Sequence, residues 1–474
     1  MLLMFFQRLA IGGVFLIATA AGADPLGPLA SAAQRLKIPD AALSVLVQAI
    51  DSPTPLLSVN AEMPRNPAST IKLLTTFVAL DLLGPTYSWP TEIYTLGSIK
   101  DGVLTGDLVL RGQGDPFLVV ENMWKMLGEL RARGLREITG DLIIDDTYFA
   151  PVAANSGEFD GEAYRLYNVL PNALLVNFKA ITFAFAPSAD ARSVNIRVDP
   201  ALPNLIIENH LRLVPGHCHG VLSTFQMSVP DPVAADRVVF SGDYQASCGE
   251  QSLPRTLLQP ASYTFGLFKL LWAQWGGALN GGLKRGPAPL DAPPFYRWDS
   301  PPLAEVVRPL NKWSNNVMAD AFLYAIGGSA FKPPLTAAQG VAVVQRYLVE
   351  RKIPTAGLVL ENGSGLSRNT RISAHTLSEV LRYAYSSRYM PEYLASLSIV
   401  GVDGTTRKRF PRAPETGWMH LKTGHINGVA AIAGYVRAKS GRMYSVAFLA
   451  NHPRMNFWSG NVLSDALLRW VYQH

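Results

Sequence analysis

Cysteine, histidine and charge are all scarce in this chain. Its 474 residues include two cysteines and eight histidines, and 16% are charged. Two cysteines, Cys218 and Cys248, cannot build a cysteine-rich scaffold. The string His217-Cys218-His219 permits a metal reading, but a zinc site usually needs four ligands in tight spacing and a fourth has no obvious source. No His-Glu-x-x-His or comparable cluster occurs, which argues against a metalloenzyme. The net charge of +6 is scattered, with no Lys/Arg run beyond Arg407-Lys408-Arg409, so the basic stripe of a nucleic-acid binder is missing. No internal repeat or low-complexity tract appears. With 48% hydrophobic residues the chain is globular, and its length suits roughly two or three domains.

Long hydrophobic runs are also absent. Leu9 to Thr19 is uncharged and mostly apolar, but falls short of the roughly 20 residues that a membrane span needs. Arg8 precedes it and Ala21-Gly22-Ala23 follows, which is the pattern of a signal peptide cleaved after Ala23. An uncleaved anchor or a buried first helix is the alternative. Residues 1–23 are therefore expected to be a leader, and the mature chain to be exported, periplasmic and at most peripherally bound to membrane. Export to an oxidising compartment fits a disulfide between Cys218 and Cys248, two unpaired thiols being the other possibility.

After the leader, Ala42 to Val47 has strand character and Leu56 to Val59 pairs back across a turn. Thr70 to Leu83 is apolar and free of Gly and Pro, a helix with Ser69 at its start. Residues 86–260 change texture: short strand-like stretches alternate with Gly, Asp and Pro around one amphipathic helix near Val120 to Arg133. Helical patterning returns at Tyr263 to Trp275, Leu303 to Ile326, Ala337 to Glu350 and Ala374 to Tyr385. The end reads as a hairpin, Gly428 to Val436 and Met443 to Asn451, then a helix from about Asn456 to Val471.

Three short motifs occur in order: Ser69-Thr70-Ile71-Lys72, Ser314-Asn315-Asn316 and Lys422-Thr423-Gly424. Each alone is a chance match, and the chain holds decoys. Ser329-Ala330-Phe331-Lys332 fits the first motif, but Pro333-Pro334 stops any helix there. Lys439-Ser440-Gly441 resembles the third but lies at the hairpin turn. At Ser69 the context is right. A serine nucleophile needs a base at hydrogen-bond range, and residues three apart on a helix share a face, so Ser69 and Lys72 point the same way. Lys422-Thr423-Gly424 follows Gly417 to Leu421, a strand leading to a sheet edge, and Ser314 interrupts an apolar helical region, as a residue lining a cleft does.

The ordered set resembles that of penicillin-binding proteins and β-lactamases. More closely, the chain resembles peptidase family S13, the D-Ala-D-Ala carboxypeptidase/endopeptidases also known as class C low-molecular-mass penicillin-binding proteins. A long insertion after the first motif is similar, as are Gly106 to Gly112 with Gly114-Asp115-Pro116, Asp145 to Phe149, Asn362 to Arg368 and Gly401 to Thr405. The resemblance implies an α/β transpeptidase-like domain, an antiparallel sheet with helices on both faces. It would be built from residues 24–85 plus 261–474, with 86–260 as a β-rich insertion.

The resemblance also implies the chemistry: Ser69 acylated by peptidoglycan stem peptides and cross-links, with β-lactam antibiotics as acylating inhibitors and no cofactor. Lys72 would be the base, its charge disfavoured by Lys422 and by burial. Ser314 would relay a proton to the leaving amine, and Asn316 would hold Lys72 and substrate. The oxyanion would lie between the N–H groups of Ser69 and His425, beside Gly424. Family members usually carry Ser or Thr where His425 stands; Thr423 and a protonated His425 would compensate for carboxylate binding, or His425 is simply a neutral surface residue. Arg368 would meet the substrate's side-chain end, and Asp146 an amino group on the third stem residue. Two alternatives stay open: a β-lactamase or esterase on the same fold, for which no water-activating carboxylate is evident, and a non-catalytic wall-binding protein, against which the intact set of five argues.

Overall fold

The computed structural model describes residues 26–152, 154–190, 192–220, 222–289 and 291–474; the expected leader lies outside them. Leu43–Ala49 is buried along its whole length. A strand buried on both faces belongs inside a covered sheet, and this one pairs antiparallel with Met443–Asn451 on one side and Pro55–Val59 on the other. Val429–Arg437, Met419–Ile426 and the short Ser398–Ile399 continue the sheet, every pair antiparallel.

Because side chains alternate along a strand, each strand feeds two cores. Leu46, Ala431, Ala433 and Tyr435 face the helices Lys72–Leu83, Leu303–Trp313, Asn316–Gly328, Ala337–Glu350 and Ala374–Ser386. Val45, Val47, Leu421 and Ile432 face Ala30–Leu36 and the closing helix Phe457–Gln473. Asn456 caps that last helix in a reciprocal pair with Ser459.

The expected boundary at residue 260 does not hold. Pro260–Gln274 is a helix, but Tyr263, Leu267, Phe268 and Trp272 pack with Phe183 and Phe240 in the core of the inserted lobe. Ala278–Leu279, Leu283–Arg285 and Tyr296–Asp299 then join the sheet that begins at Pro90–Lys100. The chain returns to the first core only at Leu303. Periodicity identifies an apolar helix face but not the core that receives it. Cys218 and Cys248 are bonded, S–S 2.05 Å, across 30 residues of the insertion.

The expected helix Leu303 to Ile326 is also two helices. Ser314 adopts a left-handed conformation, φ 60°, that ends the first, and the Asn315 side chain accepts from Met318 N at 3.1 Å to start the second.

Phe77 anchors the core between the sheet and the helix Lys72–Leu83. It is fully buried and its ring lies 5.3 Å from Tyr393 and 6.4 Å from Tyr347. Phe77→Ala is expected to cost about 3–5 kcal/mol, the scale for emptying such a site, read as a lowered midpoint in guanidinium denaturation.

Candidate active site

The segment before Ser69 is fixed first. The Asn66 side chain accepts from Ala68 N at 2.9 Å and donates to Ser367 O at 2.8 Å, while Asn451 bonds the Asn66 backbone on both sides. Ala68, at φ 44°, carries the chain into a tight 3-10 turn, Ala68–Ile71, and the α-helix proper starts at Lys72. Positive φ on a buried alanine is strain that persists only where the surroundings enforce it. Here two glycines do so. A Cβ on Gly424 would stand 2.7 Å from Pro67 O and 2.9 Å from Ser69 N, and one on Gly365 would stand 2.0 Å from Ala68 O. The strand Met419–Ile426 and the loop at Gly365 therefore press against the Ser69 turn backbone to backbone.

Lys72 is fully buried. Its Nζ reaches three oxygens: Asn316 Oδ1 at 2.7 Å, Ser364 O at 2.6 Å and Ser69 Oγ at 3.0 Å. The first two are carbonyl oxygens and can only accept. Asn316 is oriented by its own Nδ2 donating to Tyr167 O at 2.9 Å. A neutral lysine gives its two N–H bonds to those carbonyls, and its lone pair then faces the Ser69 hydroxyl. Burial drives this state, lowering the Lys72 pKa to about 7, while Asp320 partly opposes the shift.

Lys422 is likewise fully buried and donates to Ser314 Oγ at 2.7 Å and Thr423 O at 2.7 Å. Desolvation first, and Lys72 second, hold its pKa well below the lysine range. Ser69, Lys72, Ser314, Asn316 and Lys422 are thus brought together. Ser69, Ser314, Asn316, Arg368 and His425 line one cleft of about 370 Å³. Beyond Leu421 the outer edge of the Lys422 strand has no strand partner among the described residues.

Arg368 reaches the cleft, donating to Asn427 O at 3.0 Å and lying 4.5 Å over the Phe159 ring. Asp146 does not reach it. Both its oxygens are 2.9 Å from Arg285, and Asn172 donates to it, so it is committed within the insertion. Asp160 lines the cleft instead, held by Tyr167 and Asn168. Desolvation raises its pKa, but the hydrogen bonds it accepts outweigh this and set it below the usual carboxylate value. The protonated His425 is also corrected: partial desolvation lowers its pKa and its hydrogen bond with the Val429 backbone only partly opposes this, so the ring, exposed and edge-on to Phe457 at 5.9 Å, is neutral at neutral pH.

Three further residues had no motif to reveal them. Asp320 accepts from Gly363 N at 3.0 Å and supports the segment whose Ser364 carbonyl holds Lys72. Its spacing of four from Asn316, one helix face, was the available signal. Lys312 pairs with Asp403 at 2.5 Å and donates to Leu397 O at 2.9 Å, fixing the helix end that presents Ser314. Tyr167 orients Asn316 through its backbone, which leaves no trace in side-chain pattern.

The family model for "D-Ala-D-Ala carboxypeptidase 3 (S13) family" matches residues 27–470. The chain belongs to the S13 family. It is 29% identical over 393 residues to the D-alanyl-D-alanine carboxypeptidase of Actinomadura sp. (strain R39), covering 80% of this chain and 72% of that one. It is 25% identical over 389 residues to D-alanyl-D-alanine carboxypeptidase DacB of Haemophilus influenzae, covering 81% and 79%. The crystal structure of penicillin binding protein 4 (dacB) from Haemophilus influenzae superposes with a TM-score of 0.80 at 22% identity, over 94% of this chain and 99% of that one. S13 membership makes the chain a serine-type peptidase on an α/β fold, as the motifs implied.

Three outcomes follow from the S13 site. Gly424→Ala should slow acylation by at least about 100-fold, since displacing the reacting groups by about 1 Å costs that much, measured as the rate of fluorescent-penicillin labelling. In wild type that rate should rise with pH as Lys72 loses its proton near pH 7. Asp320→Asn removes the group that raises the Lys72 pKa, so the same rise should move to lower pH.

Proposed function

We propose that the chain cleaves peptides ending in, or cross-linked through, D-alanine in peptidoglycan, by way of an acyl-enzyme on Ser69. The observation that carries this reading is the Lys72 amine, held by two carbonyl acceptors with its third contact on Ser69 Oγ. Lys72 takes the hydroxyl proton as Oγ attacks the carbonyl. The N–H groups of Ser69 and His425 receive the developing oxyanion; one such donor is worth roughly 3 kcal/mol. Ser314, bonded to Lys422, passes a proton to the departing amine, and Thr423 meets the carboxylate of the departing residue. Water then hydrolyses the ester. All these groups belong to the protein.

The cleft's other side suits the acyl donor's side chain. Arg368 offers a cation beside Phe159, and Asp160 rather than Asp146 offers a carboxylate to an amino group. The names of the S13 relatives, D-alanyl-D-alanine carboxypeptidases, support the substrate class. A second structure of the Haemophilus influenzae protein, complexed with a β-lactam, supports acylation by such drugs.

A β-lactamase needs a carboxylate free to activate water. Among the described residues lining the cleft Asp160 is the one carboxylate, and it is already held by Tyr167 and Asn168. The penicilloyl ester is therefore long-lived in this reading. The non-catalytic reading conflicts with a complete Lys72–Ser69 pair. Export is supported by the Cys218–Cys248 disulfide, and no helix among the described residues is long and apolar enough to cross a membrane.

Purified chain should be labelled stably by fluorescent penicillin and should release D-alanine from a D-Ala-D-Ala peptide. Ser69→Ala should abolish labelling and lower release by on the order of 10⁶-fold. Rapid turnover of the label would favour the β-lactamase, and wild-type chain without labelling or release would defeat the proposal.

A further inference from the structure

In the inserted lobe the helix Val120–Ala132 carries Trp124 at its surface, 41% exposed. Trp275, just past the end of Pro260–Gln274, stacks on it with ring centroids 4.3 Å apart and donates its indole N–H to Trp124 O at 2.9 Å. This close approach needs Gly128, one turn along the helix from Trp124: a Cβ there would stand 2.6 Å from the Trp275 ring. Trp124 is therefore held in one orientation although much of it faces water. A rigid, amphipathic ring of this kind supplies contact area at little entropic cost.

Trp124 lines a groove of about 530 Å³, larger than the cleft at Ser69, and none of the groove's residues lines that cleft. Trp275 does not line the groove, so Trp124 meets it with the side that Trp275 leaves open. Val198, Pro200 and Leu271 form an apolar floor. Around it stand Glu121, Lys125, Asp199 and Gln274, all exposed, and none makes a side-chain hydrogen bond or ion pair among the described residues. Glu121 and Lys125 are four apart on one helix, the spacing at which such residues pair, and yet they stay apart. Two carboxylates, an ammonium and an amide are thus left free around an aromatic ring. These mixed signs suit neither an anion nor a cation. They suit a neutral ligand rich in hydroxyl and amide groups, with a flat face of C–H bonds to lie on the indole. A pyranose ring with equatorial substituents has that form.

We propose that this groove on the inserted lobe binds a neutral carbohydrate chain, the glycan strand of the polymer whose peptides are cut at Ser69. The inference rests on the function proposed above for the identity of that polymer; the chemistry of the groove, a hydroxyl-rich pyranose on an indole, stands without it. The volume lies in the range of roughly 300–1,000 Å³ that holds a drug-sized ligand, and so takes a short run of sugar rings. Holding the polymer at a second site raises the local concentration of its peptides at the cleft. The groove therefore contributes to the cutting of intact wall and nothing to the cutting of a free peptide.

Titration of the full chain with the β-1,4-linked tetramer of N-acetylglucosamine, read by tryptophan fluorescence and calorimetry, tests this directly. Trp124→Ala should weaken binding roughly tenfold, the scale of a lost ring stack. Because Trp124 also packs on Trp275, a second variant is needed. Glu121→Ala with Gln274→Ala removes only exposed groups without partners, and should weaken the tetramer several-fold at unchanged melting temperature. In both variants fluorescent-penicillin labelling and D-alanine release from a soluble peptide should keep their wild-type rates, while release from isolated, insoluble peptidoglycan falls. Wild-type chain that shows no saturable binding, or equal affinity in wild type and both variants, would overturn the proposal. So would self-association that Trp124→Ala abolishes, which would give the groove to a second copy of the chain. A chain that binds the tetramer through Trp124 but is never acylated by penicillin would sink the function above and leave the groove standing.

Discussion

Two lysines are held out of water in one site, and most of the surrounding structure serves to make that tolerable. An ammonium removed from water without compensation costs many kcal/mol, so such a group either finds a carboxylate partner or gives up its proton. Among the described residues Lys72 and Lys422 have no carboxylate in hydrogen-bond contact; their partners are carbonyl and hydroxyl oxygens. The proton is the cheaper thing to lose. The same burial that is unfavourable for folding thus delivers an amine able to act as a base at neutral pH. Asp320 sets the balance from one position back, close enough to favour the charged form partly and too far to pair with it.

Holding the amines in place demands close backbone approach. The nucleophile turn, the strand at Gly424 and the loop at Gly365 leave no room for a Cβ between them. Ala68 and Ser314 sit at positive φ on the two segments that present the Ser69 and Ser314 hydroxyls. These are local departures from regular structure enclosed by very regular structure: a sheet with apolar residues on both faces and helices packed on each. The regular part supplies the stability that the departures use up.

That division explains what could be read in the sequence. The strand Leu43–Ala49, the closing hairpin and the helix after Ser69 follow from apolar runs and turn residues, because local patterning and tertiary burial agree there. Ser69, Lys72, Ser314, Asn316 and Lys422 were legible because side-chain chemistry at fixed spacing is written in residue types. The break at Ser314 was not, since a left-handed serine between two apolar helices leaves the periodicity intact on both sides. Nor was the destination of Pro260–Gln274, whose apolar face suits either core. Asp146 was misplaced for a related reason: two adjacent acids, Asp145 and Asp146, mark a strand end, but only the fold shows Arg285 waiting beside the second.

The inserted lobe looks dispensable when the motifs alone are considered, and the hydrogen bonds argue otherwise. Asn316 holds the Lys72 amine with its carbonyl and is itself oriented by the Tyr167 backbone, which belongs to the insertion. The Tyr167 hydroxyl in turn holds Asp160, the one carboxylate among the described residues lining the cleft. In the mechanism proposed above, the base and the carboxylate offered to the substrate's far end are therefore links in one chain, Lys72–Asn316–Tyr167–Asp160. A substrate that pulls on Asp160 pulls on the segment that aims Asn316. On that proposal a large insertion has a reason to persist beside a small reaction centre: it would join recognition of the peptide to the alignment of the base, through atoms that no motif search would select.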